Sequence, residues 1–160
     1  MIPPLNTDDL QAFIKANAIH AEILHLPVPT PTVETAALAV GADVQQIVKS
    51  ILFLVDDQPV LAIACGAEYI ERRAIADLYD VGKKRVKLAS AEEVVSLSGY
   101  EVGAMPPFGH RQPLCSLLDR HVLELTEVFA GGGAENALMR VPPQEILRVS
   151  GARVMALVSG

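Results

Sequence analysis

Two apolar runs, residues 50–55 and 59–65, stand almost end to end with only Asp56-Asp57-Gln58 between them. Runs of this length around a short polar turn read as a β-hairpin, and since neither alternates with polar residues, both strands are expected to be buried on two faces. A hairpin covered on both sides demands further layers of structure. At its entrance stands Lys49, inside the run Ile47-Val48-Lys49-Ser50-Ile51-Leu52-Phe53-Leu54-Val55. An unpaired buried ammonium is costly or loses its proton, so this side chain must snorkel to water, find an anion or line a cavity.

The rest of the chain supplies the layers. With 160 residues, 51% hydrophobic and 20% charged, it suits one domain over residues 1–160 with a sizeable core. There is no Trp and only 4% aromatic content, so the core must be aliphatic, and Phe108 and Tyr69 are the loop-placed rings on which a base could stack. A net charge of −6 argues against non-specific wrapping of nucleic acid, and no DNA partner is expected. Residues 72–87 are locally basic, with Arg72, Arg73, Lys83, Lys84, Arg85 and Lys87 against Asp77 and Asp80. That stretch can meet phosphates or form a solvated face. The start of the chain lacks a secretory pattern and no run is long enough to span a bilayer, so a cytoplasmic protein without a membrane partner is expected. Cys65 and Cys115 fit no metal or redox spacing and are expected to be reduced, largely buried thiols. The four histidines form no ligand pair, and no metal or cofactor is expected.

Along the chain, Thr7-Asp8-Asp9 caps a helix through Leu10, Phe13 and Ile14, and residues 20–26 read as a strand stopped by Pro27, Pro29 and Pro31. Thr32 and Thr35 open a second helix that ends at Gly41, and a helical turn from Asp43 leads to Lys49. Further helices are expected over residues 70–79, from Ser90 to Gly99 and over 144–149, with Pro142-Pro143 in the first turn of the last. Strands are expected over 86–88, 114–118, 125–130, 137–141 and 153–158. Gly103 to His110 is too rich in Gly and Pro for regular structure. Helices and strands mix without strict alternation, which favours an α/β (α+β) domain with a mixed sheet or partly closed barrel over a doubly wound parallel sheet.

The ordered set of Thr32-x-x-Thr35, Ile47 to Phe53, Gly103-x-x-x-Pro107-Phe108-Gly109, Asp119 and Gly131-Gly132-Gly133 before a Pro-Pro helix resembles the YbaK-type family of aminoacyl-tRNA deacylases. That family includes the editing domain inserted in bacterial prolyl-tRNA synthetases, and the resemblance runs from about residue 20 to the end. It implies a mixed, partly barrel-like sheet surrounded by helices. It also implies a trans-editing enzyme that hydrolyses the ester of a mischarged tRNA, tRNA for proline first, carrying a small wrong amino acid such as alanine or cysteine. The functional lysine of the family falls on Lys49, and its glycine-x-x-x-proline loop on Gly103 and Pro107. Catalytic roles are thereby implied for Lys49 and Gly103. Substrate contacts are likewise implied for Pro107, Gly131, Gly132, Gly133 and Asn136, and their neighbours Ser50, Ala104, Met105, Pro106 and His110 are expected to share the pocket. Contacts with tRNA are expected at Arg72, Arg73, Lys83, Lys84 and Arg85, and a prolyl-tRNA synthetase or an elongation factor is the implied partner.

The residue types make this chemistry intelligible. An aminoacyl ester is already activated, so hydrolysis needs a positioned water, a clamp on developing charge and a shaped pocket. Lys49 suits the clamp, because use as a general base requires a strongly lowered pKa. Backbone amides of Gly103 to Met105 can face the carbonyl oxygen, and the 2′-hydroxyl of the terminal ribose can help activate water. The competing reading is a non-catalytic module that captures an aminoacyl or nucleotide end and acts with a synthetase.

Overall fold

Local sequence signals set most element boundaries in the computed structural model, which describes residues 2–159. Helix α1 (Thr7–Ala16) is capped by Asn6, whose side chain accepts from the amides of Asp8 and Asp9 while Asp9 accepts from the Asn6 amide. The expected cap at Thr7-Asp8-Asp9 is therefore displaced by one position, and those residues form the first turn. Strand β1 (Glu22–His25) ends before the prolines, and helix α2 (Val33–Val40) runs from the reciprocal Thr32–Thr35 cap to Gly41, which turns left-handed at φ 67°. Strands β2 (Val48–Val55) and β3 (Gln58–Cys65) form the hairpin, with Asp56 at φ 50° and Asp57 at φ 69°, as a two-residue turn of this hand requires.

Helix α3 (Arg72–Tyr79), strand β4 (Val86–Leu88) and helix α4 (Ala91–Ser98) follow, the last opened by a Ser90–Glu93 box and stopped at Gly99. The remaining elements are β5 (Cys115–Asp119), β6 (Val128–Gly131), β7 (Ala137–Val141), α5 (Pro143–Ser150) and β8 (Arg153–Met155). Three strands are shorter than expected, β1 among them because it starts at Glu22 rather than at residue 20. β6 begins at residue 128 because Arg120–Glu124 forms a 3-10 turn that continues to a Leu125 to Val122 hydrogen bond. β8 stops at Met155 because the amides of Leu157 and Val158 donate to the buried Asp119 carboxylate, at 2.6 and 3.1 Å, rather than to a neighbouring strand.

Among the described residues the strands form a five-stranded mixed sheet, β4-β2-β3-β5-β8, and a three-stranded antiparallel sheet, β1-β7-β6. β2 is antiparallel to β3 and β4, whereas β3, β5 and β8 run parallel. A parallel bridge between Ile47 and Phe129 joins the two sheets into a partly closed barrel, so the mixed α/β expectation holds. Alternation along β2 sends Val48 and Leu52 into the largest core cluster with Leu61, Ile63 and Cys65. It sends Ile51, Phe53 and Val55 to the opposite face, where Ile75 and Ala76 of α3 cover them. By the same alternation Ser50 belongs to the inner face and Lys49 to the outer one. β3 is buried on both faces as expected, but β2 is half-exposed from Lys49 to Ile51. Two other expectations fail: Cys115 is exposed at the start of β5, and Phe108 is buried against Phe13, with ring centroids 5.9 Å apart, and presents no free face.

Candidate active site

The half-exposed stretch of β2 coincides with a gap in the barrel wall. Among the described residues β6 is bridged to the chain just before β2 by the Ile47–Phe129 pair, and β4 joins from Phe53 onward, preceded by the Ala89 amide donating to Leu52 O at 3.0 Å. Residues 49–51 thus present an edge between the two. Because Leu52 turns its carbonyl away from β3, antiparallel alternation turns the amide and carbonyl of Ser50 to the same side. A cleft of about 340 Å³ opens there, walled by Lys49, Ser50, Gly103, Met105, Gly131 and the start of α2.

Lys49 answers the question the sequence poses. Its ammonium donates to the backbone carbonyl of Glu68, in the loop after β3, while the side chain lies along the cleft. Burial pulls its pKa down, and the negative potentials of Glu68, Cys65 and Glu34 oppose that pull. Beside it, the Ser50 hydroxyl oxygen is buried without a hydrogen-bond partner among the described residues. Such a group carries a desolvation cost of about 1–3 kcal/mol that a ligand can relieve.

The opposite wall is positioned by glycine. A Cβ on Gly131 would stand 2.1 Å from Met105 O, and one on Gly132 would stand 2.6 Å from the Ala137 carbonyl carbon, so both positions require a bare backbone. The Gly133 amide donates to Ala104 O at 2.9 Å and ties the two loops together. Gly103 takes φ 88° with open space beyond its Cα, and the Ala104 amide is consumed by Glu101 O at 3.0 Å. The amides of Gly103 and Met105 have no partner among the described residues and remain as donors.

Of the residues expected in catalysis or substrate contact, the cleft therefore gathers Lys49, Ser50, Gly103, Met105 and Gly131. Ala104, Pro106, Gly132 and Gly133 are buried behind it as support, whereas Pro107, also buried, lines a separate depression. His110 does not share it: the ring lines a separate depression with Phe13 and Phe108, its Nε2 is 2.7 Å from Pro106 O, and burial lowers its pKa against that hydrogen bond. Asn136 is also elsewhere, since its side chain donates to Leu26 O and its carbonyl accepts from the Leu26 amide, fastening β1 to β7. Sequence reasoning missed the walls supplied by Thr30–Val33, Ala36 and Val102. The Thr32 cap after the prolines was the signal for the first of these, because it fixes where α2 begins.

The basic stretch gathers at a second place. Arg72, Arg73, Lys83, Lys84, Arg85 and Lys87 surround an open depression of about 750 Å³ at the start of α3. Arg72 is held over the Phe53 ring at 5.8 Å and Arg85 pairs with Asp56 at 2.5 Å. Arg73, Lys83, Lys84 and Lys87 have no ion-pair partner among the described residues. Phe53 and Lys49 lie on the same face of β2, about 13 Å apart along the strand.

A model of the aminoacyl-tRNA editing domain matches residues 27–149, which contain the whole cleft and the basic depression. The chain belongs to this family. A solved structure provisionally described as a trans-editing enzyme for prolyl tRNA synthetase is 35% identical to this editing domain, with a TM-score of 0.88 over 96% of this chain and 97% of the other. The uncharacterized protein YwhH of Bacillus subtilis is 26% identical over 83% of each chain. The proline–tRNA ligase of Shouchella clausii is 37% identical over 49% of this chain, a match that spans 13% of the ligase. The editing-domain fold, with its mixed barrel-like sheet, is thus shared with its structural neighbours. No helix among the described residues is long and apolar enough to cross a membrane.

Proposed function

We propose that this editing domain acts in the cytoplasm as a trans-editing deacylase. It hydrolyses the ester between a small wrong amino acid, such as alanine or cysteine, and the terminal adenosine of tRNA for proline. The observation that carries the reading is the placement of Lys49, Gly103 and Met105 around one small cleft, with the amides of the last two free of partners among the described residues. In the reaction the oxygen of water bonds to the acyl carbon, the bond from that carbon to the ribose oxygen breaks, and the water proton ends on the ribose oxygen. Negative charge builds on the carbonyl oxygen on the way, and amides already free of protein partners stabilise it without reorganisation. Lys49 supplies a fixed positive potential, either to that oxygen or to the terminal phosphate. Ser50 offers a hydroxyl, an amide and a carbonyl to the aminoacyl group. A cleft of this size is at the lower end of small-molecule sites, which suits a second sieve that admits small side chains.

The deciding experiment measures release of alanine, cysteine, serine or proline from tRNA for proline by the native protein and by Lys49→Ala. Release of one mischarged amino acid, lost in the variant, is expected. No release of any of them with RNA binding intact would instead establish a capture module. The basic depression is the proposed grip on tRNA, and reversal of Lys83 and Lys84 to Glu is expected to weaken binding and flatten its salt dependence. A prolyl-tRNA synthetase or elongation factor is the proposed source of additional grip, given the acidic net charge.

A further inference from the structure

The cleft and the basic depression are separate, and one exposed ring lies in the segment that links them. Tyr69 is 90% exposed, in a chain whose other large apolar side chains are mostly buried. It follows Glu68, whose carbonyl accepts the Lys49 ammonium, so its Cα lies within about 6 Å of that ammonium. Three residues later Arg72 begins α3 and the wall of the basic depression, a span of about 10 Å at full extension. Chain connectivity therefore orders three chemically different surfaces: a small cleft with a cation, an aromatic ring, and a cluster of unpaired cations. The loop itself is held at both ends, by Lys49 at Glu68 and by the Glu71 amide donating to Leu157 O at 2.7 Å.

The cleft is too small to take a whole aminoacylated nucleotide together with its neighbours. With the acyl end in the cleft, the base attached to that end is free to use the exposed Tyr69 next to the Lys49 anchor. Every base has a π-face, and an exposed aromatic ring beside a basic groove is how single-stranded ends are held without sequence readout. Glu68 and Glu71 flank Tyr69, so phosphates are repelled at the ring itself and attracted by Arg73, Lys83, Lys84 and Lys87 further on.

We propose that Tyr69 is the stacking platform for the terminal base of an RNA 3′ end whose acyl group enters the Lys49 cleft and whose phosphates run to the basic depression. This rests on the reading of the Lys49 cleft as the site of the aminoacyl end. The surface fits an acceptor-stem RNA with an unpaired end.

The test uses an RNA acceptor-stem hairpin with a single-stranded CCA end carrying 2-aminopurine in place of the last adenine. The native protein is expected to change the fluorescence of the probe saturably. Tyr69→Ala is expected to abolish that change and weaken binding about ten-fold or more, while Tyr69→Phe and Tyr69→Trp retain both. The Lys83→Glu/Lys84→Glu variant should bind more weakly with a shallower salt slope, yet give the full change at saturation. Equal affinity and equal fluorescence for the native protein and Tyr69→Ala overturn the proposal, as does absence of binding to the native protein. Deacylation is measured in parallel. Loss of the fluorescence change in Tyr69→Ala, when the native protein releases no amino acid, upholds the platform and overturns the hydrolase.

Discussion

Gly131 lies against the backbone of Met105 so closely that a methyl group on its Cα would stand 2.1 Å from the Met105 carbonyl oxygen. The end of β6 thus sets the height of the loop that carries Gly103 and Met105, and with it the width of the cleft. Gly131→Ala must push backbone against backbone, and is expected to cost about 1–3 kcal/mol of stability. It should lower kcat/KM on the order of 100-fold through displacement of the loop. Gly103→Ala meets no neighbour and suffers only its left-handed backbone, about 1–2 kcal/mol. Thermal melts and deacylation rates of the two variants separate crowding from strain, and a Gly131→Ala protein with native rates would show that the loop is not set by this contact.

The charge on Lys49 should be visible in two pH profiles with opposite meanings. Burial holds its pKa below the ordinary 10.5, so activity that depends on the ammonium is expected to fall as pH rises through that lowered value. Rates corrected for spontaneous ester hydrolysis should show this limb in the native protein and lack it in Lys49→Arg. For stability the sign reverses. Below the folded pKa the ammonium is charged in both states and its burial penalty is fully present, and above about 10.5 neither state is charged. Lys49→Met is therefore expected to be more stable than the native protein at neutral pH, with the difference vanishing at high pH in urea titrations.

Ser50→Ala should part stability from function. The hydroxyl is buried without a partner among the described residues, so its removal is expected to leave stability unchanged or raise it by up to about 1 kcal/mol, read from thermal melts. Deacylation should nevertheless fall about ten-fold, the scale of one lost hydrogen bond to a reacting group. A variant that loses stability and keeps its rate would place the hydroxyl in the core rather than the site.

Asp119 is a structural anchor whose contribution depends on pH. Its carboxylate is fully buried and accepts from the amides of Leu157, Val158 and His121 and from the His121 ring. Burial alone pushes its pKa up, but these hydrogen bonds outweigh it and hold the carboxyl below the ordinary 3.8. A depressed carboxylate stabilises the fold above its unfolded pKa and loses that contribution as pH falls through the folded value. Asp119→Asn is expected to cost about 3 kcal/mol at pH 7 and to approach the native protein as pH drops below 3.8, measured by chemical denaturation. A loss that is constant with pH would mean that shape, rather than charge, holds the segment 157–158.

What the sequence determined by itself was mostly local. The Asp56-Asp57 turn, the Thr32–Thr35 and Ser90–Glu93 boxes and the stops at Gly41 and Gly99 each satisfy backbone groups within a few residues, so their signatures can be read without knowing the fold. Lys49 announced a site because an ammonium in an apolar run must be accommodated, and the Gly- and Pro-rich run 103–110 read as an irregular loop. Which groups meet was decided by tertiary structure. The Glu68 carbonyl that accepts Lys49, the Met105 carbonyl that excludes a side chain at Gly131, and the gap in the wall beside Ser50 all join segments distant in sequence. His110 and Asn136 lie near the motif residues in sequence yet leave the cleft, since their hydrogen bonds to Pro106 and Leu26 serve the packing of other loops. Contacts of this kind depend on how two sheets close on one another, and strand pairing across long loops carries no mark in the local sequence.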